Sequence, residues 1–554
     1  MAPPDDTQLE DDVVVQPITV PDTGDAGESG KLKMIVQLLK KCLGVKDIAS
    51  MRLSLPASLL EPIPNLEYWH YLDRPDLFAA INDSDDPFER MLAVLRFAFS
   101  KDLKFIRGKV CKPYNSVLGE HFRSHWDVIP VSYPSDPLQP PIQHLFLTPA
   151  AAESDYSLAP ASPRNSRLCV SETASISGRS IKSGRSVISA LSVGMSTPGK
   201  STPATSPSLG SSSLEGDMSN LNLADDASSR TELVEADDVP NAAGRPRVRI
   251  AFLTEQVSHH PPISAYYARC PSRNVELMGV DQISAKVSGT ALRIVPGSYN
   301  KGLFVKLTGG PGEGETYRIT HPIGAVNGMF RGSFYITMGE ATIIECSGGA
   351  DDDDDERLRA VIEYKEESWL GKAHFLVEGV IHTYDPRGSA HQEWTRVKHV
   401  PRERVLATLD GSWKHRIRWR RANAASNEPA TLLDLSTLHV IPKAVRPLEK
   451  QLPDESRKLW DNVTTRLLAK EYGEATRHKQ AIEQRQRDEA AERKQKGIQF
   501  VPRYFENDID SGIPTLTAEG HRALEEELKE DIVYPLEGME PAESQDMNTS
   551  STTL

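Results

Sequence analysis

The sequence predicts an α+β fold: a large antiparallel sheet, curved or closed into a barrel, with helices before and after it in the chain. Three observations carry that expectation. Between Arg247 and about Arg420, short apolar alternations recur between Gly, Pro and Asp turns, as in a meander of antiparallel strands. Helical spacing of apolar residues appears upstream of this region and again after Pro453. Hydrophobic residues make up 38% of the 554, lean overall but enough for one large core if part of the chain stays outside it.

From the N-terminus, residues 1–30 are acidic, rich in Asp, Pro and Gly, and aperiodic, which predicts disorder. The pattern changes at Lys31. Leu32, Ile35, Val36, Leu39 and Leu43 recur at helical spacing, Lys33, Gln37, Lys40 and Lys41 share the other side, and Gly44 offers a stop. A basic amphipathic helix of this kind lies on a membrane, closes over a pocket or docks on its own domain. Residues 65–106 read as helical, with Met91, Leu92, Leu95 and Phe99 forming a core stripe after the Asp85-Asp86-Pro87 start signal. Strand-like text runs from His121 to Leu147.

Residues 148–245 hold one aromatic, Tyr156, and are dominated by Ser, Thr, Pro, Gly and Ala, with S-P or T-P steps at Ser162, Thr197, Thr202 and Ser206. So few large apolar groups cannot offset the entropy of ordering the backbone, so a disordered insertion is expected. It is either a phosphorylation target or an inert spacer. Strands are expected at V-R-I-A-F-L, A-Y-Y-A-R-C, V-E-L-M-G-V, G-L-F-V-K-L, S-F-Y-I-T-M, A-T-I-I-E-C, A-V-I-E-Y and H-F-L-V-E-G-V-I, within residues 246–510. The Asp351–Asp355 run reads as a solvated hairpin loop. Gly309–Gly314 reads as a turn and not a phosphate loop, since no helix and no G-K-[ST] follows. Glu455 to Lys470 is amphipathic, Glu471 to Lys496 is highly charged, and 511–554 is expected to be an acidic, partly disordered terminal segment.

The balance of 64 Lys+Arg against 78 Asp+Glu gives a net charge of −14, which argues against a general nucleic-acid binder while leaving room for a local basic pocket. The 5 cysteines are scattered with no C-x-x-C, so neither a disulfide framework nor a metal centre is expected. The M-A-P-P-D-D start lacks a basic n-region and an apolar h-region, and no apolar run approaches a membrane span. These features predict a soluble, reduced, cytoplasmic protein.

Three stretches carry chemistry. Glu255-Gln256-Val257-Ser258-His259-His260-Pro261-Pro262 sets two imidazoles before two prolines, which stiffen the chain and favour an extended His260. Imidazoles held this way donate hydrogen bonds to an anion such as a phosphomonoester. Two structural histidines at a strand end remain the plain alternative. Zinc would need further ligands, for which His121 and His125 are the nearest pair, and a Ser258–His259 nucleophile lacks a G-x-S-x-G elbow. Lys112-Pro113-Tyr114-Asn115-Ser116-Val117-Leu118-Gly119-Glu120 offers a point charge, an amide suited to hydroxyls and a tight loop; a surface loop is the alternative. Lys479, Glu483 and Arg487 fall at i, i+4 and i+8 within an arc of about 80° on one helix, where solvated salt bridging is the alternative.

Together these stretches resemble the oxysterol-binding protein family of lipid-transfer proteins. E-Q-V-S-H-H-P-P from Glu255 is similar to its signature, K-P-Y-N-S-V-L-G-E from Lys112 to its second hallmark, and S-R-K-L-W-D from Ser456, K-x-x-x-E-x-x-x-R from Lys479 and K-G-I-Q-F-V-P-R-Y-F from Lys496 to its C-terminal block. The likeness covers about residues 31–510 apart from the insertion, in a short form without pleckstrin or ankyrin regions. It implies one lipid-binding domain in two parts, 31–147 and 246–510: an incomplete antiparallel β-barrel around a hydrophobic lipid tunnel, an N-terminal helical lid and C-terminal helices packed outside. The lid would be the helix bearing Leu32, Ile35, Val36, Leu39 and Leu43, with the segment to about Glu61.

The resemblance further implies non-enzymatic exchange of phosphatidylinositol 4-phosphate for a second lipid between membranes, with peripheral membrane association and no cofactor. It sets the 4-phosphate against His259, His260 and Arg487, with Lys112, Asn115, Lys479 and Glu483 around the inositol ring and bridging phosphate. The second lipid is a sterol or phosphatidylserine, with the lean to sterol. Phosphatidylserine-binding members resemble L-P-T-F-I-L-E in the lid, whereas Leu55-Pro56-Ala57-Ser58-Leu59-Leu60-Glu61 shares only its ends. A lipid sensor acting on a protein partner through the insertion is the rival expectation.

Overall fold

The computed structural model describes residues 57–107, 112–136, 139–146, 247–288, 291–328, 335–349, 356–367, 373–423 and 428–529, with three short backbone strands at Ile18–Thr19, Leu53–Ser54 and Thr231–Val234. The expected lid helix, most of the insertion and the five-Asp run lie outside the described residues.

Four short helices precede the sheet: α1 Asn65–Tyr68, α2 Pro75–Ala79, α3 Pro87–Ser100 and α4 Lys104–Arg107. α3 starts where the sequence signals it. Pro87 sits in the first turn and Asp86 caps it, its carboxylate accepting the Phe88 amide at 2.8 Å. Apolar side chains cover most of this helix, so it is buried on nearly all sides instead of along one stripe. Its two buried arginines are satisfied. Arg90 forks onto Glu315, and Arg96 donates to the Leu432 carbonyl at 3.2 Å.

Besides Gln143–Phe146, which pairs in parallel with Thr231–Val234, the strands of the two antiparallel sheets are β1 His121–Val128, β2 Val248–Ser258, β3 Ile263–Cys270, β4 Val275–Asp281, β5 Ile283–Ser288, β6 Ala291–Pro296, β7 Leu303–Leu307, β8 Thr316–Ile319, β9 Ile323–Asn327, β10 Tyr335–Gly339, β11 Ala341–Ser347, β12 Arg357–Tyr364, β13 Leu376–Tyr384, β14 Val405–Ser412, β15 Arg416–Arg421 and β16 Ala430–Asp434. Twelve of them form one antiparallel sheet in the order β1-β2-β3-β4-β7-β8-β11-β12-β13-β14-β15-β16. The sheet is a meander with two excursions, β5–β6 and β9–β10, which pair with each other as a second sheet of order β10-β9-β6-β5. The glycine-rich stretch is the turn between β7 and β8, as expected. The sheet is not closed, and the β1 edge is covered by a coil segment. Ala444 exchanges both backbone hydrogen bonds with His125, and His121 donates to the Asp454 carbonyl.

One large core joins α2 and α3 to the main sheet through Phe78, Phe97, Trp126, Phe252, Tyr266 and Tyr317. The register of the small sheet gives its two faces opposite character. Val287 opposes Leu292, Ala285 opposes Ile294, Leu292 opposes Val326, and Val326 opposes Ile336. With Ile283 and Met338 they make one face wholly apolar, while Ser284, Lys286, Arg293, Asn327 and Thr337 take the other. Most of that apolar face is only half-buried, and Ile283 is 43% exposed.

The C-terminal helices are α5 Ser456–Leu468, α6 Tyr472–Lys496 and α7 Ala518–Leu528. α7 lies beyond residue 510, where the sequence reading closed the domain. Ala523 and Leu524 pack with Leu253 and Ala265, and the buried Glu527 receives Arg123 and His125, an acid whose burial no pattern in the tail announces. Among the described residues no helix is long and apolar enough to cross a membrane.

Candidate functional site

Segment 112–120 alternates between anchoring and presenting. Tyr114 and Val117 insert among Trp460, Val463, Leu467 and Ala475, with the Tyr114 hydroxyl 3.0 Å from Thr464 Oγ1. Lys112 and Asn115 stay exposed, and Lys112 Nζ donates to Asn115 Oδ1 at 2.6 Å. The segment ends at Glu120, which is fully buried and accepts the Val117 amide, the Ser456 hydroxyl and the Trp460 indole N–H at 3.0, 2.7 and 3.0 Å. Burial, with no guanidinium or ammonium bonded to it, pushes this carboxyl up to about 7.

The end of β2 is bonded to the same loop. Gly119 N donates to the Gln256 carbonyl at 3.0 Å and Gln256 N to the Glu120 carbonyl at 2.8 Å. Glu255, also fully buried, faces the other way and accepts the amides of Arg503 and Tyr504 at 2.7 Å each. Burial raises it to about 7 against the pull of those amides. Four and five residues on, His259 and His260 occupy the β2–β3 turn with ring centroids 4.4 Å apart at 65°. Residues 259–262 are a turn, the His260–Pro261 bond is cis, and Ser258 Oγ donates to the Pro261 carbonyl at 2.9 Å. The two imidazoles still stand at a strand end and are half-buried.

α6 supplies the third stretch. Lys479 is buried, and its ammonium donates to Glu483 Oε1 at 2.5 Å. The buried face of the helix follows Ala475, Lys479 and Gln486, so the ladder rotates away from it along its length. Arg487 therefore lies at the exposed edge, where Nε and Nη2 donate to Gln484 Oε1 at 3.1 and 3.0 Å. α6 meets the 112–120 loop through Val117 and Ala475, and Leu118, Gly119, Ile482 and Gln486 line one cavity of about 230 Å³.

Segments 112–120, 255–260 and 475–487 are thus joined around one loop. Lys112–Asn115, His259–His260 and Lys479–Glu483 are in direct contact as pairs, while the side chain of Arg487 is tied to Gln484. Sequence reading missed the residues that do the joining. Glu120, Glu255, Ser456 and Trp460 all sit inside the quoted motifs, but the neighbours of the two acids in the chain are Gly119, His121, Thr254 and Gln256, so nothing local marks them as buried. His121 and His125, the nearest zinc alternative, have structural partners instead. His121 Nδ1 lies 3.1 Å from the Gly119 carbonyl, and His125 Nδ1 lies 2.9 Å from Glu527. Among the described residues no group of three or more His, Cys, Asp or Glu is placed to hold a metal ion.

A second polar cluster stands where both excursions leave the main sheet. The Tyr71 hydroxyl donates to Asp281 at 2.8 Å, and the Tyr71 ring packs between Tyr266 and His321 at 5.3 and 5.5 Å. Burial pushes Asp281 up to about 7 and His321 down to about 3, so the cluster favours neutral forms. Among the described residues the buried Tyr266 hydroxyl and His321 Nε2 have no hydrogen-bond partner.

Comparison with known proteins agrees with this architecture. The family model described as oxysterol-binding protein matches residues 34–141 and 238–529. An oxysterol-binding protein-like protein of Schizosaccharomyces pombe is 40% identical over 92% of this chain and 93% of its own length. The human oxysterol-binding protein-related protein 9 is 25% identical over 88% of this chain, which spans 49% of that longer protein. The crystal structure of the Osh1 ORD domain in complex with ergosterol superposes with a TM-score of 0.50 at 16% identity, covering 90% of each chain, a likeness of fold. The chain belongs to the oxysterol-binding protein family.

Proposed function

We propose that this protein is a non-enzymatic lipid exchanger that carries phosphatidylinositol 4-phosphate one way and a sterol the other between membranes, the two competing for one site. The observation that carries the reading is the joining of three remote stretches around the 112–120 loop. His259 and His260 would take the 4-phosphate with Arg487, which needs only to leave Gln484. Charge-assisted bonds of that kind are roughly twice as strong as neutral ones. Lys112, Asn115, Lys479 and Glu483 would serve the ring hydroxyls and the bridging phosphate, Glu483 as an acceptor that also holds Lys479.

The apolar face of the small sheet supports the hydrocarbon half of the reading. Covering it with several hundred Å² of lipid contributes on the order of 10 kcal/mol before association costs. The neutral Tyr71–Asp281–His321 cluster favours a sterol hydroxyl over a charged serine head group as the second polar end. In the test, His259→Ala/His260→Ala is assayed for extraction of phosphatidylinositol 4-phosphate from liposomes. Loss of extraction with sterol uptake retained is expected. Extraction at the wild-type level would overturn the head-group assignment.

A further inference from the structure

The carboxyl end of α6 carries a surface the head-group reading does not use. The helix stops at Gly497, whose φ of 65° is left-handed, with Ile498 N donating to the Arg493 carbonyl at 2.9 Å and Gly497 N to the Lys494 carbonyl at 3.1 Å. After such a closure the next hydrophobic residue ordinarily folds back onto the last turn. Ile498 instead remains 57% exposed, and Val501 at 74% is the most exposed large hydrophobic among the described residues.

The exposure is built, not loose. Phe500 packs on the 112–120 loop, so close that a Cβ on Gly119 would sit 3.3 Å from its ring. On the far side Pro502, Tyr504 and Phe505 are buried, and Glu255 holds the amides of Arg503 and Tyr504. Two apolar tips thus ride on a spur pinned at both ends, next to the loop that bears Lys112 and Asn115. Arg493, Lys494, Lys496 and Arg503 flank them in the chain, with no carboxylate between residues 493 and 503 in a chain of net charge −14, and Arg485, Arg493 and Arg503 line a cavity with Val501 in which Asp454 and Glu489 also take part. Lys496 pairs with Glu492 and Arg503 with Glu519, but surface pairs of this kind are weak and exchange readily.

We propose that residues 493–503 form a membrane-contact spur, with Ile498 and Val501 entering the interface of an anionic bilayer while the flanking cations stay among its head groups. Two protruding side chains are too little for a stable protein interface, which takes about 800 Å² per partner. A bilayer accepts an isolated apolar tip flanked by cations, and the charge is complementary.

The test uses full-length protein and flotation on phosphatidylcholine vesicles with or without phosphatidylserine, free of phosphoinositide and sterol, so that it stands apart from the head-group reading. Wild type is expected to favour the anionic vesicles. Ile498→Ser/Val501→Ser should weaken binding about tenfold or more at an unchanged melting temperature. Leu468→Ser, which removes an equally exposed residue elsewhere, should leave it unchanged. Hydrogen exchange of the wild type provides a readout without mutation: amides 498–503 should gain protection on the vesicles. Equal loss in the Leu468 variant, wild-type binding by the double variant, or no added protection at 498–503 overturns the proposal. So does a double variant that keeps vesicle binding but loses a soluble protein partner.

Discussion

Glu120 offers the sharpest test of how the candidate site is held together. Its carboxyl is fully buried, receives three donors from the loop and α5, and is pushed from 4.5 up to about 7 by burial. A folded-state pKa above the unfolded one means the native protein binds the extra proton. The associated stability is fully present below about 4.5 and is lost as pH rises through about 7. At 1.36 kcal/mol per unit, that shift corresponds to about 3 kcal/mol between pH 5 and pH 8. Glu120→Gln keeps the shape and removes the titration. Urea unfolding of both proteins at several pH values should show the difference in stability moving toward the glutamine variant by about 3 kcal/mol as pH rises from 5 to 8. Taking the difference cancels Glu255 and Asp281, which titrate alike in both proteins. A difference that stays constant, or moves the other way, would refute the claim that burial outweighs the three donors.

Gly119→Ala should cost about 1–2 kcal/mol in urea unfolding, since its φ of 79° is strained for any side chain and a Cβ would press on Phe500. Val287→Ser/Leu292→Ser, a cross-strand pair on the half-buried apolar face, should leave the fold cooperative while removing lipid that co-purifies with the protein, read by mass spectrometry.

Each stretch that sequence reading named overlaps a strand among the described residues, some alternating in burial, as Ile263–Cys270 does, and others, such as β2 and β4, buried on both faces. Those it did not name were passed over for identifiable reasons. β9 reads Ile-Gly-Ala-Val-Asn, with too few polar residues to show a period, and its sidedness appears only once Val326 is set against Leu292 and Ile336. In β15, Arg416, Arg418 and Arg420 alternate with the buried Ile417 and Trp419, within the strand-rich text to about Arg420 but not named as a strand. Their partners, Asp434 and Asp410, belong to the adjoining strands, so the pairing that makes them compatible with a sheet is not local. The apolar face of the small sheet was illegible for the same reason: it is assembled from four strands in two separate excursions.

The site divides along the same line. Lys112, Asn115, His259, His260, Lys479 and Glu483 could be singled out because polar groups at tight turns or helical spacing mark themselves. Glu120 and Glu255 could not, because an acid declares itself buried only through its donors, and Ser456 lies 336 residues away. Yet these two carboxylates decide whether the other six residues share a place. One ties the loop to α5, and the other ties the end of β2 to the chain leaving α6. Each uses short hydrogen bonds to uncharged donors, so no cation need be drawn from the polar groups at the surface to neutralise them. On the proposed reading, anchoring and recognition would be carried by different residues of the same motifs, the anchors holding a geometry while Lys112, His259 and Lys479 exchange partners as a ligand arrives and leaves.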